Sequence, residues 1–298
     1  MNLFTFSTTM RTLRTDIQFT RRMTNGVMLH VAEAGPVMGR LVLLLHGFPE
    51  FWYGWRHQID ALANAGYRVV VPDQRGYNLS DRPKGRAAYD IDLLAKDILG
   101  LADDIGRHTF LLVGHDWGAS VGWWIASQYP GRLERFAALS APHPAVWMDA
   151  IRTIPEQRKK SWYVNAFRLP WLPESLMRQR NFRALADALR ESKRPEACSD
   201  SDLAEYREAW SMPGALTSMI NWYRALLVKR ISLDTIGRIA IPTLIVWGKS
   251  DKYGIPELAE RSGQLCDNRS VVYLDASHWL QHDEMAQVNE MILNFLKD

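Results

Sequence analysis

Cysteine is scarce in this chain of 298 residues: Cys198 and Cys266 are the only two. That excludes a disulfide framework and fits a reducing compartment, so a cytoplasmic location is expected. No apolar run approaches the roughly twenty residues that span a bilayer, so no membrane span is expected. Neither charge is in large excess. The net +3 argues neither for a nucleic acid nor for a membrane surface as partner. No glycine-rich phosphate loop precedes a helix, which removes the usual signal of a nucleotide cofactor. His57, His143 and His282 have no metal-ligand spacing with one another or with carboxylates, so neither cofactor nor metal is expected. There is no internal repeat and no low-complexity tract. The first twenty-two residues carry Arg11, Arg14, Arg21 and Arg22 among Thr and Ser, in the manner of an organellar transit peptide. Asp16 and weak amphipathicity favour a frayed start followed by a first strand instead.

What the chain does have is alternation. Asn25-Gly26 between two β-type runs is a hairpin signal. Leu41–Leu45 is continuously apolar, as a strand buried on both faces is, and ends at His46-Gly47-Phe48-Pro49-Glu50. A helix is expected from about Trp52 to Ala65, then a strand at Arg68–Val71 that ends in a loop with Asp73 and Arg75, both assigned to holding that loop. Asp90–Ile105 has helical apolar spacing, with Asp90 as N-cap. Phe110–Val113 is the next buried strand. It runs through Gly114-His115-Asp116-Trp117-Gly118 into an apolar helix, the spacing of the G-x-S-x-G nucleophile elbow with Asp116 at its centre. Leu133–Leu139 follows as a strand. Strand and helix in alternation imply an α/β fold, a mainly parallel sheet with helices on both faces.

The pattern breaks at Ala141-Pro142-His143-Pro144. From about 145 to 233 the sequence is helical and charged, rich in tryptophan and without a strand run. It reads as an inserted helical cap with an internal loop at Pro195–Asp202, flanked by core segments 1–144 and 234–298. The core resumes with the strand at Ile241–Gly248, a short helix near Pro256–Leu265, the strand Ser270–Leu274 and a closing amphipathic helix.

Three polar side chains thereby fall just beyond successive core strands: Asp116, Asp251 and His278. Ligand crevices of open α/β sheets lie at that edge, and the chain order of nucleophile, acid and histidine is that of the α/β-hydrolases. Singly, Asp251 reads as a turn residue and His278 as a packed histidine. In order, and each past a strand, they read as nucleophile, orienting acid and base.

The chain resembles the epoxide hydrolase branch of the α/β-hydrolase family over nearly its whole length. The motifs are His46–Glu50, Gly114–Ala119, Trp247-Gly248-Lys249-Ser250-Asp251 and Ser277-His278-Trp279. In the cap, Tyr163 in W-Y-V-N-A-F and Tyr223 in Asn221-Trp222-Tyr223-Arg224 match the positions where that family keeps two epoxide-contacting tyrosines. One departure is Asn78 in Gly76-Tyr77-Asn78, where the family often has glycine; Asn tolerates positive φ.

The resemblance implies hydrolysis of a small apolar epoxide to a diol, and the chemistry of the residues is suited to it. An aspartate can attack an sp³ carbon and leave an alkyl ester. His278, held by Asp251, then activates water against that ester. The backbone N–H groups of Trp117 and Phe48 are the expected oxyanion donors, and cap tyrosines protonate the departing alkoxide. His46 and His115 are expected to orient loops. The competing reading is a haloalkane dehalogenase, which shares the Asp nucleophile followed by Trp but often has Asn where this chain has Phe48. A fluoroacetate dehalogenase would want a basic residue near the elbow, where Trp117 and Ser120 stand. A serine esterase lacks its serine here. A non-catalytic ligand-binding protein would be expected to have lost triad members, and none is missing. The oligomeric state is not encoded in any motif.

Overall fold

A computed structural model describes residues 16–192, 194, 197–226, 231, 233 and 237–297. Most of the arginine-bearing N-terminal stretch, and the expected end of the cap near 233–234, therefore fall largely or wholly outside the described residues. The strands are β1 (Gln18–Thr24), β2 (Val27–Ala34), β3 (Leu41–Leu45), β4 (Arg68–Pro72), β5 (Phe110–His115), β6 (Leu133–Leu139), β7 (Thr243–Gly248) and β8 (Arg269–Leu274). They form one sheet in the order β1-β2-β4-β3-β5-β6-β7-β8. β1 and β2 are joined antiparallel through Asn25 and Gly26, both at positive φ as a tight hairpin turn requires. β2 is also antiparallel to β4, and every later pairing is parallel.

The parallel strands are buried on both faces, and their side chains alternate between two cores. Leu41, Leu43 and Leu45 of β3 point into one, with Phe110 and Leu112 of β5. Val42, Leu44, Leu111 and Val113 point into the other. This two-sided burial explains why the strands read as unbroken apolar runs.

The core helices before the cap are α1 (Arg56–Asn64), α2 (Ile91–Asp104) and α3 (Trp117–Gln128). The helix expected from Trp52 is a 3₁₀ turn, Trp52–Trp55, before α1 begins. The Trp52 N–H is drawn to Asp73 Oδ1 at 3.0 Å, and the Glu50 carboxylate presses on Gly54, which tightens that entry. Asp90 caps α2 by accepting from the Asp92 N–H. α3 rides directly on the sheet: a Cβ on Gly118 would stand 2.1 Å from the Leu45 carbonyl oxygen, so glycine is required for that approach.

Between β6 and β7, in the segment expected as a cap and called so below, lie α4 (Pro144–Thr153), α5 (Pro155–Lys160), α6 (Trp162–Phe167), α7 (Leu172–Leu189, interrupted at Gln179–Phe182), α8 (Asp200–Ser211) and α9 (Ala215–Leu226). The loop expected at Pro195–Asp202 ends earlier, at Ser199. Pro195 and Glu196 lie outside the described residues, and Ser199 and Asp202 form a capping box that starts α8 at Asp200. The core closes with α10 (Glu257–Gly263), α11 (Leu280–Asp283) and α12 (Met285–Lys297). Both cysteines are buried and free. Among the described residues no helix is long and apolar enough to cross a membrane.

Tryptophans seat the cap on the core through their N–H groups as well as their rings. Trp210 donates to the Pro49 carbonyl at 2.7 Å, Trp222 to the Arg75 carbonyl at 3.0 Å, and Trp279 of the core to the Ala188 carbonyl of the cap at 2.7 Å. A buried indole without an acceptor would cost about as much as a lost hydrogen bond, so these pairs fix where the cap sits.

Candidate active site

Asp116 stands between β5 and α3 with φ 50°, ψ −119°, a left-handed conformation that lifts its carboxylate above the sheet edge. Gly47 makes room for it, since a Cβ there would fall 2.4 Å from the Asp116 Cβ. Asp116 Oδ1 accepts from the Phe48 N–H at 2.9 Å. Trp117, the other expected oxyanion donor, opens α3, where first-turn N–H groups have no partner inside the helix.

His278 is buried beside it. Its Nδ1 is 2.8 Å from Asp251 Oδ2, and its Nε2 is 3.6 Å from Asp116 Oδ2. Asp251 Oδ1 accepts from the Tyr253 and Gly254 N–H groups at 2.7 and 3.0 Å, which fixes the carboxylate and through it the imidazole. The structure thus brings Asp116, Asp251 and His278, drawn from three strand ends, into one line.

Burial would lower the His278 pKa, but the charge of Asp251 and bonding to Asp116 and Asp251 push it up to about 10. Burial would likewise raise the Asp116 carboxyl, yet His278 outweighs it and holds it below its ordinary value. The resting pair is imidazolium and carboxylate.

Tyr163 from α6 and Tyr223 from α9 line one cavity with Asp116, about 510 Å³ of empty space walled also by Trp117, Trp147 and Trp247. Their ring centroids are 5.9 Å apart and nearly perpendicular. Burial first, and the charge of Asp116 second, hold both phenols well above their ordinary pKa, so both carry their protons at any working pH. The Phe48 ring packs edge-on to Tyr223 at 5.5 Å, and the Trp117 ring does so at 4.9 Å. A wider opening on the other side of Asp116 is lined by Phe48, Trp162, Lys159, Lys160 and Met177.

The chain matches the α/β hydrolase fold family over residues 40–285. It is 45% identical over 280 residues to the AB hydrolase superfamily protein YfhM of Bacillus subtilis, covering 92% of this chain and 96% of that one. It is 36% identical over 291 residues to epoxide hydrolase 4 of Homo sapiens, covering 94% of this chain and 78% of that protein. An epoxide hydrolase of Bacillus megaterium, solved with an inhibitor, superposes with a TM-score of 0.85 at 34% identity, covering 94% of this chain and all of that one. The chain belongs to the epoxide hydrolase branch of the α/β-hydrolase fold family.

Around this epoxide hydrolase-type site stand residues that the sequence pattern did not single out. Tyr253 packs edge-on against His278 at 4.9 Å and against Tyr163 at 5.8 Å, and its hydroxyl donates to Glu191 at 3.3 Å. Its only sequence signal is its place two residues after Asp251. Gln157 of the cap, fully buried, donates to the Tyr253 carbonyl at 2.8 Å and accepts from the Ile255 N–H at 3.0 Å, and Lys160 donates to the Asp251 carbonyl at 2.8 Å. The cap therefore grips the loop that carries the acid.

Behind the site Glu50 accepts from Tyr206 of α8 at 2.7 Å and from Gln281 at 3.0 Å, and lies 2.7 Å from His282 Nε2. Burial would raise its carboxyl, but the charge of His282 and bonding to His115 and His282 hold it well below the carboxylate range. His115 Nε2 lies 3.0 Å from the His278 carbonyl oxygen. His46 accepts from the Gln74 N–H at 3.0 Å and so ties two strand-end loops together. Asn78 takes φ 39° and donates to Asp73. Arg75 differs from its expected place within the Asp73 loop: it forms a two-pronged pair with Asp97 of α2 at 2.7 and 2.6 Å. Among the described residues no cluster of His, Cys, Asp and Glu suits a metal ion.

Proposed function

We propose that this protein hydrolyses a small apolar epoxide to a vicinal diol through an alkyl ester on Asp116. The observation that carries the reading is the pair of protonated phenols, Tyr163 and Tyr223, sharing a cavity with a carboxylate that is itself held against a His–Asp pair.

The two oxygens of Asp116 have different surroundings. Oδ1 is held by the Phe48 N–H, so Oδ2 is the attacking atom and Oδ1 becomes the ester carbonyl. As Oδ2 bonds to a ring carbon, the C–O bond of the epoxide breaks and its oxygen takes a proton from a tyrosine, an acid contribution of about 10²–10⁴ in rate. Esterification removes the charge of Asp116, one of the two groups that kept His278 protonated. His278 then gives up its proton, which restores the tyrosine through solvent and balances the one the alkoxide took. The neutral imidazole draws a proton from water, and the hydroxide attacks the ester carbon. The charge that develops on Oδ1 meets the donor already seated on it. Collapse of the tetrahedral intermediate breaks the bond to Oδ2, the departing oxygen takes the remaining proton of the attacking water, and the diol leaves with the carboxylate and the imidazolium regenerated.

Dehalogenation is the second reading. It calls for N–H donors to hold a halide, whereas Phe48 offers an apolar ring at that rim, packed edge-on to Tyr223. The test is diol formation from a panel of aryl and alkyl epoxides beside halide release from haloalkanes. Diol formed faster than halide is the expected result, and the reverse order overturns the reading.

A further inference from the structure

The surface of the cap at the α6–α7 corner is unlike the rest of the molecule. Leu169 is 48% exposed, Trp171 72%, Leu172 36% and Leu176 53%, all within eight consecutive residues. Trp162, at 68% and at the start of α6, lines the wide opening to Asp116. Large apolar side chains scattered singly need no explanation, but four within eight residues, one of them tryptophan, mark an interaction surface.

Its charge says what kind. Trp171 lies in a shallow cleft with Arg86, Arg168 and Arg178, and among the described residues no carboxylate pairs with any of those three. The acids nearby are already matched: Glu174 to Arg224 at 2.8 Å, and Asp187 to Arg183 at 3.4 Å. A second copy of this chain, meeting the patch with the same patch, would set unpaired guanidinium groups against one another. Tryptophan and leucine ringed by unpaired arginines instead suit the boundary of a bilayer, where indoles sit at headgroup level and arginines reach the phosphates.

We propose that the α6–α7 corner of the cap docks on an anionic lipid surface through Leu169, Trp171, Leu172 and Leu176, with Arg168 and Arg178 on the headgroups. The protein as a whole has too little positive charge to suggest this; the local arrangement of unpaired cations around exposed rings does. Docking in this way presents the Trp162 rim, and hence the opening to Asp116, to the layer in which apolar molecules dissolve. That consequence rests on the epoxide reading, while the docking itself does not.

The test is co-flotation of the full chain with vesicles, which reads binding without reference to turnover. Vesicles of phosphatidylcholine with about one third phosphatidylglycerol should carry the protein, and pure phosphatidylcholine vesicles should carry at least tenfold less. Raising the salt to 1 M should release most of it. L169S/W171S and R168E/R178E should each lose binding at least tenfold while keeping the far-ultraviolet spectrum and melting temperature of the parent, because all four side chains are exposed or unpaired. Failure to float with anionic vesicles would overturn the proposal. So would flotation indifferent to both variants, or a dimer in light scattering that L169S/W171S dissolves without any vesicle binding.

Discussion

The Phe48 N–H donates to one oxygen of the Asp116 carboxylate at 2.9 Å, and the other oxygen lies 3.6 Å from His278 Nε2. The two oxygens are thereby assigned before any substrate arrives. In a single turnover with enzyme in excess in H₂¹⁸O, the diol should form unlabelled, and ¹⁸O should appear in the peptide that contains Asp116. Label found in the diol instead would mean that water, not Asp116, opened the ring. Asp116→Ala should abolish turnover.

His278→Gln should still be alkylated and then stall, since water activation belongs to the imidazole. Intact mass after mixing with substrate should rise by one substrate mass, on Asp116. No adduct, or an adduct elsewhere, would sink the assignment.

Tyr163→Phe or Tyr223→Phe should each weaken epoxide turnover, and the double variant should lose about 10²–10⁴, the range of acid catalysis. Stability should change little because the rings remain. Steady-state kinetics with both variants checks this, and near-normal turnover in the double variant would remove the phenols from the reaction.

Gln157→Leu leaves the Ile255 N–H without its acceptor and frees the loop that carries Asp251. A buried group left unpaired costs about 1–3 kcal/mol, so urea denaturation should show a loss in that range. If the grip also orients His278, rapid-quench kinetics should show the ester accumulating in this variant. Glu50→Ala removes the carboxylate shared by His282, Tyr206 and Gln281 and should cost about 3–5 kcal/mol in the same assay.

The pair of His278 and Asp116 sets a pH dependence of stability with a definite sign. His278 is raised from about 6.5 to about 10 in the folded protein, so its contribution is complete below the unfolded value and fades as pH rises through about 10. Asp116 is lowered, so its contribution is lost as acid titrates it below its ordinary value. The melting temperature of the parent should fall between pH 7 and pH 10 by more than that of His278→Gln, and equal falls would contradict the shift.

Much of this was legible in the sequence because it is local. A strand buried on both faces writes itself as Leu41–Leu45, an elbow writes itself as glycines two residues either side of Asp116, and an N-cap writes itself as Asp90. What escaped depends on partners far along the chain. Arg75 gave no sign that Asp97 would meet it, nor Glu50 that Tyr206 and His282 would share it. The 3₁₀ entry at Trp52 was invisible for the same reason: Asp73, from another loop, sets it.

Tyr163 and Tyr223 come from two different helices of the insertion, while Asp116, Asp251 and His278 each follow a strand of the sheet. On the proposed mechanism, formation and hydrolysis of the ester would fall to groups at the strand ends, and protonation of the leaving group would fall to the insertion. On that reading, exchanging the lid would change the leaving groups the site can serve, provided the new lid keeps the grip of Gln157 and Lys160 on the loop that carries Asp251. It also means that a loose or misplaced lid would fail in a recognisable way. The nucleophile would be present and charged, yet able to react only with substrates whose leaving groups need no proton.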